Sequence, residues 1–517
     1  MTAIIRSALT GLAAAIVLSL GSAASPASGS STPREQLEPP DQAVEFVDSG
    51  QSDRLDTDAV DTYVDSYLDR HGLSSAEVAI VKDGEIVHTG AYGESHGEQT
   101  TTQTPMATGS VGKHVTSFAL LQLVDAEKVS LDDPVVEHLP EFELADDRYT
   151  DITIRQLLSH TSGLPSPLIV EPASDLREGV ERLKGWELQT KPGEQYSYSN
   201  MNYHVVARLI ETVAEVPFAT YLDDHLFEPL GMDDTRTVDT SRDDDPGLQH
   251  GHVTAYGTTW PLRETDQLLA GAGGIVTTAE DQARWLAMLT NDGAAPDGQQ
   301  LLSPELLDEA QSPQAGADGE GLGWHLSGEG VDPPRVGHSG STSRYSAQVD
   351  TVPGSGYGVA VMLNSFTPTV EHNYALASGI INVTEGKTPD PGVPVAALID
   401  IGLALATLVV ATLTVFGLRR AGRWSTRRAA WPGWRFGLRL LPQAIGPALA
   451  VGVLFVVPSL ERNATTPVDM FGFWPAAMVL VGVLGVSGAS LILTRAVHRA
   501  RSPERRALNP HRRGSTS

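Results

Sequence analysis

The 517-residue chain contains no cysteine. Disulfides, thiolate metal centres and a cysteine nucleophile are therefore excluded, while the compartment stays open, because an exported protein can fold without bridges. Positive charge is scarce through the centre of the chain. Residues 25–394 hold 20 Lys and Arg against 60 Asp and Glu, whereas residues 395–517 hold 15 against 4. An acid excess of that size repels phosphate and argues against nucleic-acid binding by the central region. It fits a solvated, self-repelling surface, with attraction of a cationic partner as the alternative. Metal-ligand spacing is also missing: His250 and His252 have no Cys or carboxylate near them in a zinc pattern, so neither a metal nor a cofactor is expected. Gly271, Gly273 and Gly274 are not followed by Lys-Ser/Thr and read as a turn, not a phosphate loop.

Long apolar runs are confined to the two ends. Arg6 precedes the run Leu9–Leu20, which closes on Ser22-Ala23-Ala24, so residues 1–24 are expected to be a secretory signal, with an uncleaved anchor as the other reading. Residues 25–56, rich in Ser, Pro, Asp, Glu and Gln, are expected to be a disordered linker. Beyond a main domain at 57–388, three membrane-spanning helices are expected at 395–418, 440–460 and 470–494; the middle one carries Pro442, Pro447 and Pro458 and is the weakest. The loop 419–439 and the tail 495–517 each carry seven Arg. By the positive-inside rule both are expected in the cytoplasm, which leaves the acidic domain outside a cell membrane crossed several times. Trp424, Trp431, Trp434 and Trp474 stand where interfacial aromatics belong, and Asp400 marks the outer edge of the first span.

Within the main domain, Val60, Tyr63, Val64, Tyr67 and Leu68 share one face of a helix. The runs 77–81 and 85–91 alternate about Asp83-Gly84, a hairpin turn. Helical patterns dominate from Val111 to Leu289. Strand patterns return at 335–338, 345–351 and 357–363, and an amphipathic helix covers 369–383. Strands from both ends enclosing a helical middle imply an α+β fold whose sheet is assembled from distant segments.

Three short patterns carry chemistry. In Ser110-Val111-Gly112-Lys113, Ser and Lys at i and i+3 share a helix face. A lysine whose pKa is lowered can take the serine's proton and make it a nucleophile. The bland alternative is an N-cap serine beside a solvated lysine. In Tyr198-Ser199-Asn200, the phenol can relay a proton and the amide can orient the lysine or a substrate carbonyl; the alternative is a packed Tyr at a helix start. In His338-Ser339-Gly340-Ser341, Gly340 admits a substrate backbone. The Ser341 amide joins that of Ser110 as an oxyanion hole, and His338 binds a substrate carboxylate or tunes the site's charge. Gly112, inside the first pattern, weakens the helix by about 1 kcal/mol relative to Ala and has no functional reading.

These motifs, in this order, together with 110–142, LLSHTSGLP (157–165), PGEQYSYSN (192–200) and AGGIVTTAED (272–281), resemble the serine β-lactamase-related family. That family includes class C β-lactamases, D-alanyl-D-alanine carboxypeptidases and esterases. The resemblance implies a β-lactamase/transpeptidase-like domain: an antiparallel sheet flanked by helices, with an all-helical insertion. It also implies an acyl-enzyme on Ser110, proton transfer shared by Lys113 and Tyr198, and a loop-structuring role for His160. The third motif begins with His338 where class C enzymes have Lys, which points toward the carboxypeptidase and esterase branches. The expected function is hydrolysis of D-amino-acid peptides, cell-wall fragments or small esters, with β-lactams as further ligands. A binding or sensor protein that keeps the fold without turnover is the rival.

Overall fold

The computed structural model describes residues 55–502, apart from 168, 244, 246 and 461–465. The expected signal at 1–24 and all but the last two residues of the expected linker lie outside the described residues, as does the tail from 503. Strands β1 (Ser75–Lys82), β2 (Glu85–Ser95) and β3 (Glu98–Gln99) stand at one side of a seven-stranded antiparallel sheet, ordered β3-β2-β1-β12-β11-β10-β9. The other side is β9 (His325–Leu326), β10 (Val336–Ser341), β11 (Ser346–Val352) and β12 (Tyr357–Leu363). Asp83 and Gly84 both take positive φ in the β1–β2 turn, the conformation a two-residue hairpin demands. Ala76 pairs with Leu363 and Lys82 with Tyr357, so the two ends of the domain meet at the centre of the sheet.

Side-chain alternation splits the sheet into two apolar faces. Val78, Ile80, Val359 and Val361 pack under helices α1 (Thr57–His71) and α5 (His372–Thr384). Ala79, Val81, Val349 and Ala360 face α4 (Ala279–Leu289). A third and larger core lies in the helical region, around α2 (Gly112–Asp125) and α3 (Asn200–Ala214), with Phe118, Leu121, Tyr203, Trp285 and Trp324 fully buried.

The insertion is not all helical. It also carries β5 (Arg236–Thr237) and β8 (Ile275–Thr277), which pair in a small sheet with β4 (Met106–Ala107) before it, and β6 (His252–Ala255) and β7 (Thr258–Pro261), joined in another by β13 (Ser365–Phe366), which follows β12. Strands of two to four residues are too short to leave a period in the sequence.

After the domain come α6 (Val395–Thr426), α7 (Leu441–Val451), α8 (Pro467–Phe473) and α9 (Pro475–Arg501). Among the described residues two helices, α6 and α9, are long and apolar enough to cross a membrane, not the three expected. The middle segment runs from α7 into a π-helical turn at Gly452–Val456 and contains Pro447, which removes an i→i−4 hydrogen bond. The third is shorter at its start than expected, because the chain breaks at Trp474, before Pro475. At the Arg-rich end, Arg428 and Arg495 stack on Trp424, at 4.2 and 4.4 Å from the ring centre.

Candidate active site

Ser110 sits in a single 3₁₀ turn, Gly109–Val111, that runs directly into α2. In that geometry residues three apart lie almost above one another, which brings Lys113 back over Ser110. Lys113 Nζ donates to Ser110 Oγ at 2.9 Å, and Tyr198 Oη donates to the same oxygen at 2.9 Å. Ser110 is half-buried, Lys113 has no exposed surface, and Ser341 at the rim is exposed. The nucleophile candidate thus opens to solvent while its basic partner does not.

The second donor position of Lys113 is held by the Ala272 carbonyl at 2.7 Å, not by Asn200. The turn 271–274 approaches because Gly271 has φ +76° and lies where a Cβ would come within 2.4 Å of the Tyr203 carbonyl oxygen. The glycine turn was visible in the sequence, but its carbonyl as a lysine ligand was not. Asn200 is the first residue of α3, capped by the Ser199 hydroxyl, and its Oδ1 is buried without a hydrogen-bond partner among the described residues. It makes no hydrogen bond to Lys113 and is left free to meet an N–H of a bound substrate.

Burial sets the electrostatics. Desolvation pushes Lys113 down to about 7, opposed by the nearby negative charge of Glu320. The Tyr198 phenol is pushed up by burial, so near neutral pH it is a donor and not a phenolate. His114, the neighbour of Lys113, is pushed down to about 3 by burial and lies edge-on to Trp285 and Trp324. It adds apolar surroundings and no charge.

His160 fixes the tyrosine. Its ring stacks on Tyr198 at 4.3 Å, and its Nδ1 accepts from the Ser199 amide at 3.2 Å and from Asn202 Nδ2 at 3.0 Å. Burial holds its pKa well below the usual histidine value, so it is a neutral support for the Tyr198 segment.

His338 differs from the expectation of a cation for a substrate carboxylate. Its ring is buried, and desolvation pushes it down to about 4. Its Nδ1 lies 2.5 Å from the Ser339 carbonyl, which only accepts, so Nδ1 carries the proton of a neutral ring. Glu320, which the sequence did not signal, is the acidic group of the site. It is buried, and its Oε1 accepts from Tyr196 Oη at 3.1 Å and lies 3.2 Å from His325 Nδ1.

Gly340 has a packing reason beside the one expected. A Cβ there would lie 2.1 Å from the Thr108 carbonyl oxygen and 2.9 Å from the Ser110 nitrogen. What fills the side-chain position of Gly340 is the turn bearing Ser110. Conversely, a Cβ on Gly109 would lie 2.6 Å from the Ser341 nitrogen. The two glycines interlock, bringing the Ser110 and Ser341 amides to one crossing point, where an oxyanion could be received. Gly112 has a packing reason as well, because a Cβ would stand 3.0 Å from Ile275 Cγ1. Gly340→Ala is expected to lower the melting temperature by several degrees and kcat by about 100-fold, since the clash is with backbone. Thermal melts alongside ester kinetics test it; wild-type values in both would refute the interlock.

Residues 60–379 match the family described as Beta-lactamase. The chain is 30% identical over 329 residues to Penicillin-binding protein 4 of Amycolatopsis lactamdurans, covering 59% of this chain and 84% of that protein. It is 27% identical over 321 residues to Protein flp of Staphylococcus aureus (strain MW2), covering 59% of this chain. That match takes in 62% of Protein flp, so the chain spans less than two thirds of that relative. The octameric penicillin-binding protein homologue from Pyrococcus abyssi shares the fold, with a TM-score of 0.54 at 24% identity, over 66% of this chain and 80% of that one.

Proposed function

This chain belongs to the Beta-lactamase family, and from that premise we propose that it is a serine hydrolase that acylates Ser110 with an ester or amide substrate. The observation that carries the reading is the pair of 2.9 Å hydrogen bonds from Lys113 and Tyr198 converging on one serine oxygen. Neutral Lys113 takes the Ser110 proton as Oγ attacks the carbonyl carbon, and the Ser110 and Ser341 amides receive the oxyanion. Tyr198, still protonated, passes a proton to the leaving group and regains one through Lys113. Water then enters on the same side, and the same groups run in reverse to free the serine. Asn200, with its unpartnered oxygen, orients an N–H of the substrate.

Substrate choice follows from the charges. His338 is neutral and the charge of Glu320 acts on both Lys113 and His338, so the third motif supplies no cation for an anionic group beside the scissile bond. Small esters and peptides with neutral or cationic surroundings are favoured over β-lactams, whose ring system carries a carboxylate. D-amino-acid peptides and cell-wall fragments remain within this class where no carboxylate adjoins the scissile bond. The test uses the full-length chain in detergent with a p-nitrophenyl ester and a fluorescent penicillin, followed by peptide mapping. An adduct on the peptide containing Ser110 is expected, faster with the ester. No acylation by either probe would leave the binding or sensor reading in its place.

Glu320 stabilises the protonated form of Lys113. In Glu320→Gln the Lys113 pKa is expected to fall further, moving the acid limb of kcat/KM to lower pH by up to about one unit. A limb that stays put, or moves up, removes Glu320 from this role. As to place, α6 and α9 run in the same direction, with Trp474 beside Asp400 and Arg495 beside Ser425; they anchor the domain in a membrane, the broken helical segment between them returns the chain across it, and the Arg-rich 419–439 and 495–517 lie on the cytoplasmic side with Ser110 outside. Protease digestion of oriented vesicles tests this; a protected hydrolase domain overturns it.

A further inference from the structure

Three of the contacts among the described residues that join the hydrolase domain to the helices after it bear on the site. Asp400 of α6, buried, accepts from the Tyr256 amide at 2.8 Å and lies 3.4 Å from Trp474 Nε1. Phe366 meets Phe473 edge-on at 6.1 Å. The third contact is at the turn between β10 and β11: Arg344 Nη1 donates to the Gly472 carbonyl, at the end of α8, at 3.2 Å.

Arg344 is 4% exposed. Its Nε donates to the Arg263 carbonyl at 3.0 Å, and Nη1 also meets the Ser343 carbonyl. A buried guanidinium must have its donors met, because an unmet one costs several kcal/mol. Here one of the acceptors is supplied by the helical bundle. The turn that carries Arg344 is stiff. The Thr342 amide donates to the Tyr345 carbonyl at 2.9 Å, and Thr342 Oγ1 accepts from the amides of Arg344 and Tyr345 at 3.1 and 3.0 Å. Tyr345 Oη donates to the Gln249 carbonyl, and the Arg344 carbonyl accepts from the His252 amide. Ser341, three residues away and so at most about 11 Å distant, closes the β10–β11 pairing opposite Ser346. Its backbone in turn is pressed on Gly109 with no room for a methyl group.

We propose that the helical bundle is a positioning part of the active site: Gly472 holds Arg344, Arg344 holds the turn 342–345, and that turn holds the Ser341 backbone against the Ser110 turn. Arg344 is a positioning residue and touches no reacting atom. The inference rests on the reading of Ser110 as the nucleophile and Ser341 as an oxyanion donor. It goes beyond anchoring, because helices that only tethered the domain would need no contact with the turn between β10 and β11.

Gly472 provides the test, since it lies in the bundle and outside the hydrolase sequence. A Cβ there would stand 2.5 Å from Arg344 Nη2, the movable end of a long side chain, so Gly472→Val displaces the guanidinium at little cost to α8. In the full-length chain in detergent, Gly472→Val is expected to lower kcat for an ester about tenfold or more, with KM within about twofold. Arg344→Ala should do the same, and the double variant should be no worse than either alone, as expected of two residues acting through one contact. Arg344→Lys, which keeps charge but not the fork, should restore activity only in part. If Arg344→Ala does not fold, Gly472→Val decides alone. Wild-type kcat in Gly472→Val, with Ser110→Ala inactive, overturns the inference and leaves the hydrolase reading standing. Additive losses that track a fall in melting temperature overturn it also. Full activity in Ser110→Ala overturns the hydrolase reading itself, and the inference with it.

Discussion

Ser110→Ala is expected to reduce ester hydrolysis by on the order of 10⁴–10⁶-fold and to abolish covalent labelling altogether. The size follows from what the one atom does. Ser110 Oγ is the nucleophile of the proposed cycle and the shared acceptor of the Lys113 and Tyr198 protons. Binding and the oxyanion donors would survive its loss, so a small residual rate by direct water attack is compatible with the scheme. The variant should also be slightly less stable, because Tyr198 loses its hydrogen-bond acceptor while Lys113 keeps the Ala272 carbonyl. One buried donor left unmet costs about 1–3 kcal/mol. Burst kinetics with the p-nitrophenyl ester and intact-mass measurement after the fluorescent penicillin check both parts. An adduct that persists in Ser110→Ala would move the nucleophile elsewhere.

Lys113→Met is expected to lower kcat/KM by about 10²–10⁴-fold while making the protein more stable at neutral pH. The gain follows from linkage. Burial holds Lys113 at about 7 in the folded chain against the ordinary value of 10.5. Between those values the unfolded chain binds the extra proton, so the wild-type protein gains stability as pH rises through that window and loses it as pH falls. Methionine has the length of the lysine stem and no charge, so it should remove a penalty on the order of a few kcal/mol at pH 7. As pH rises toward and past 10.5, where the unfolded lysine also gives up its proton, the difference should shrink toward zero. Melting temperatures of both proteins at pH 7 and pH 10 measure this. A Met variant less stable than wild type at pH 7 would show that the ammonium is not desolvated. In activity the same group gives the wild type an acid limb, with kcat/KM rising as pH passes about 7.

Both results depend on burial, and burial is where sequence and structure part. Ser110 and Lys113 were legible because their relation is local: three residues along one helical turn can touch whatever the rest of the chain does. The β1–β2 hairpin was legible for the same reason, as Asp83-Gly84 sets the backbone of its own turn. The sheet of distant strands could be inferred from where the alternating runs fell, and the long apolar helices from their length alone. Even there a local break decided differently, as Pro447 and the π-turn interrupt the middle segment, which is no single long apolar helix like α6 and α9.

What no pattern carried is contact across hundreds of residues. The Ala272 carbonyl lies 159 residues from the lysine it holds, and Gly472 lies 128 from Arg344. Glu320 reaches the site only because the chain after α4 folds back over it. The sequence placed Gly340 and His338 at the site but not their tasks, since those depend on neighbours: the Ser110 turn denies Gly340 a side chain, and desolvation denies His338 a charge. The sequence by itself determined the residue types, the local turns and the order of the motifs. Tertiary structure decided which of them are dry, because only packing removes the water that would otherwise set every pKa to its ordinary value.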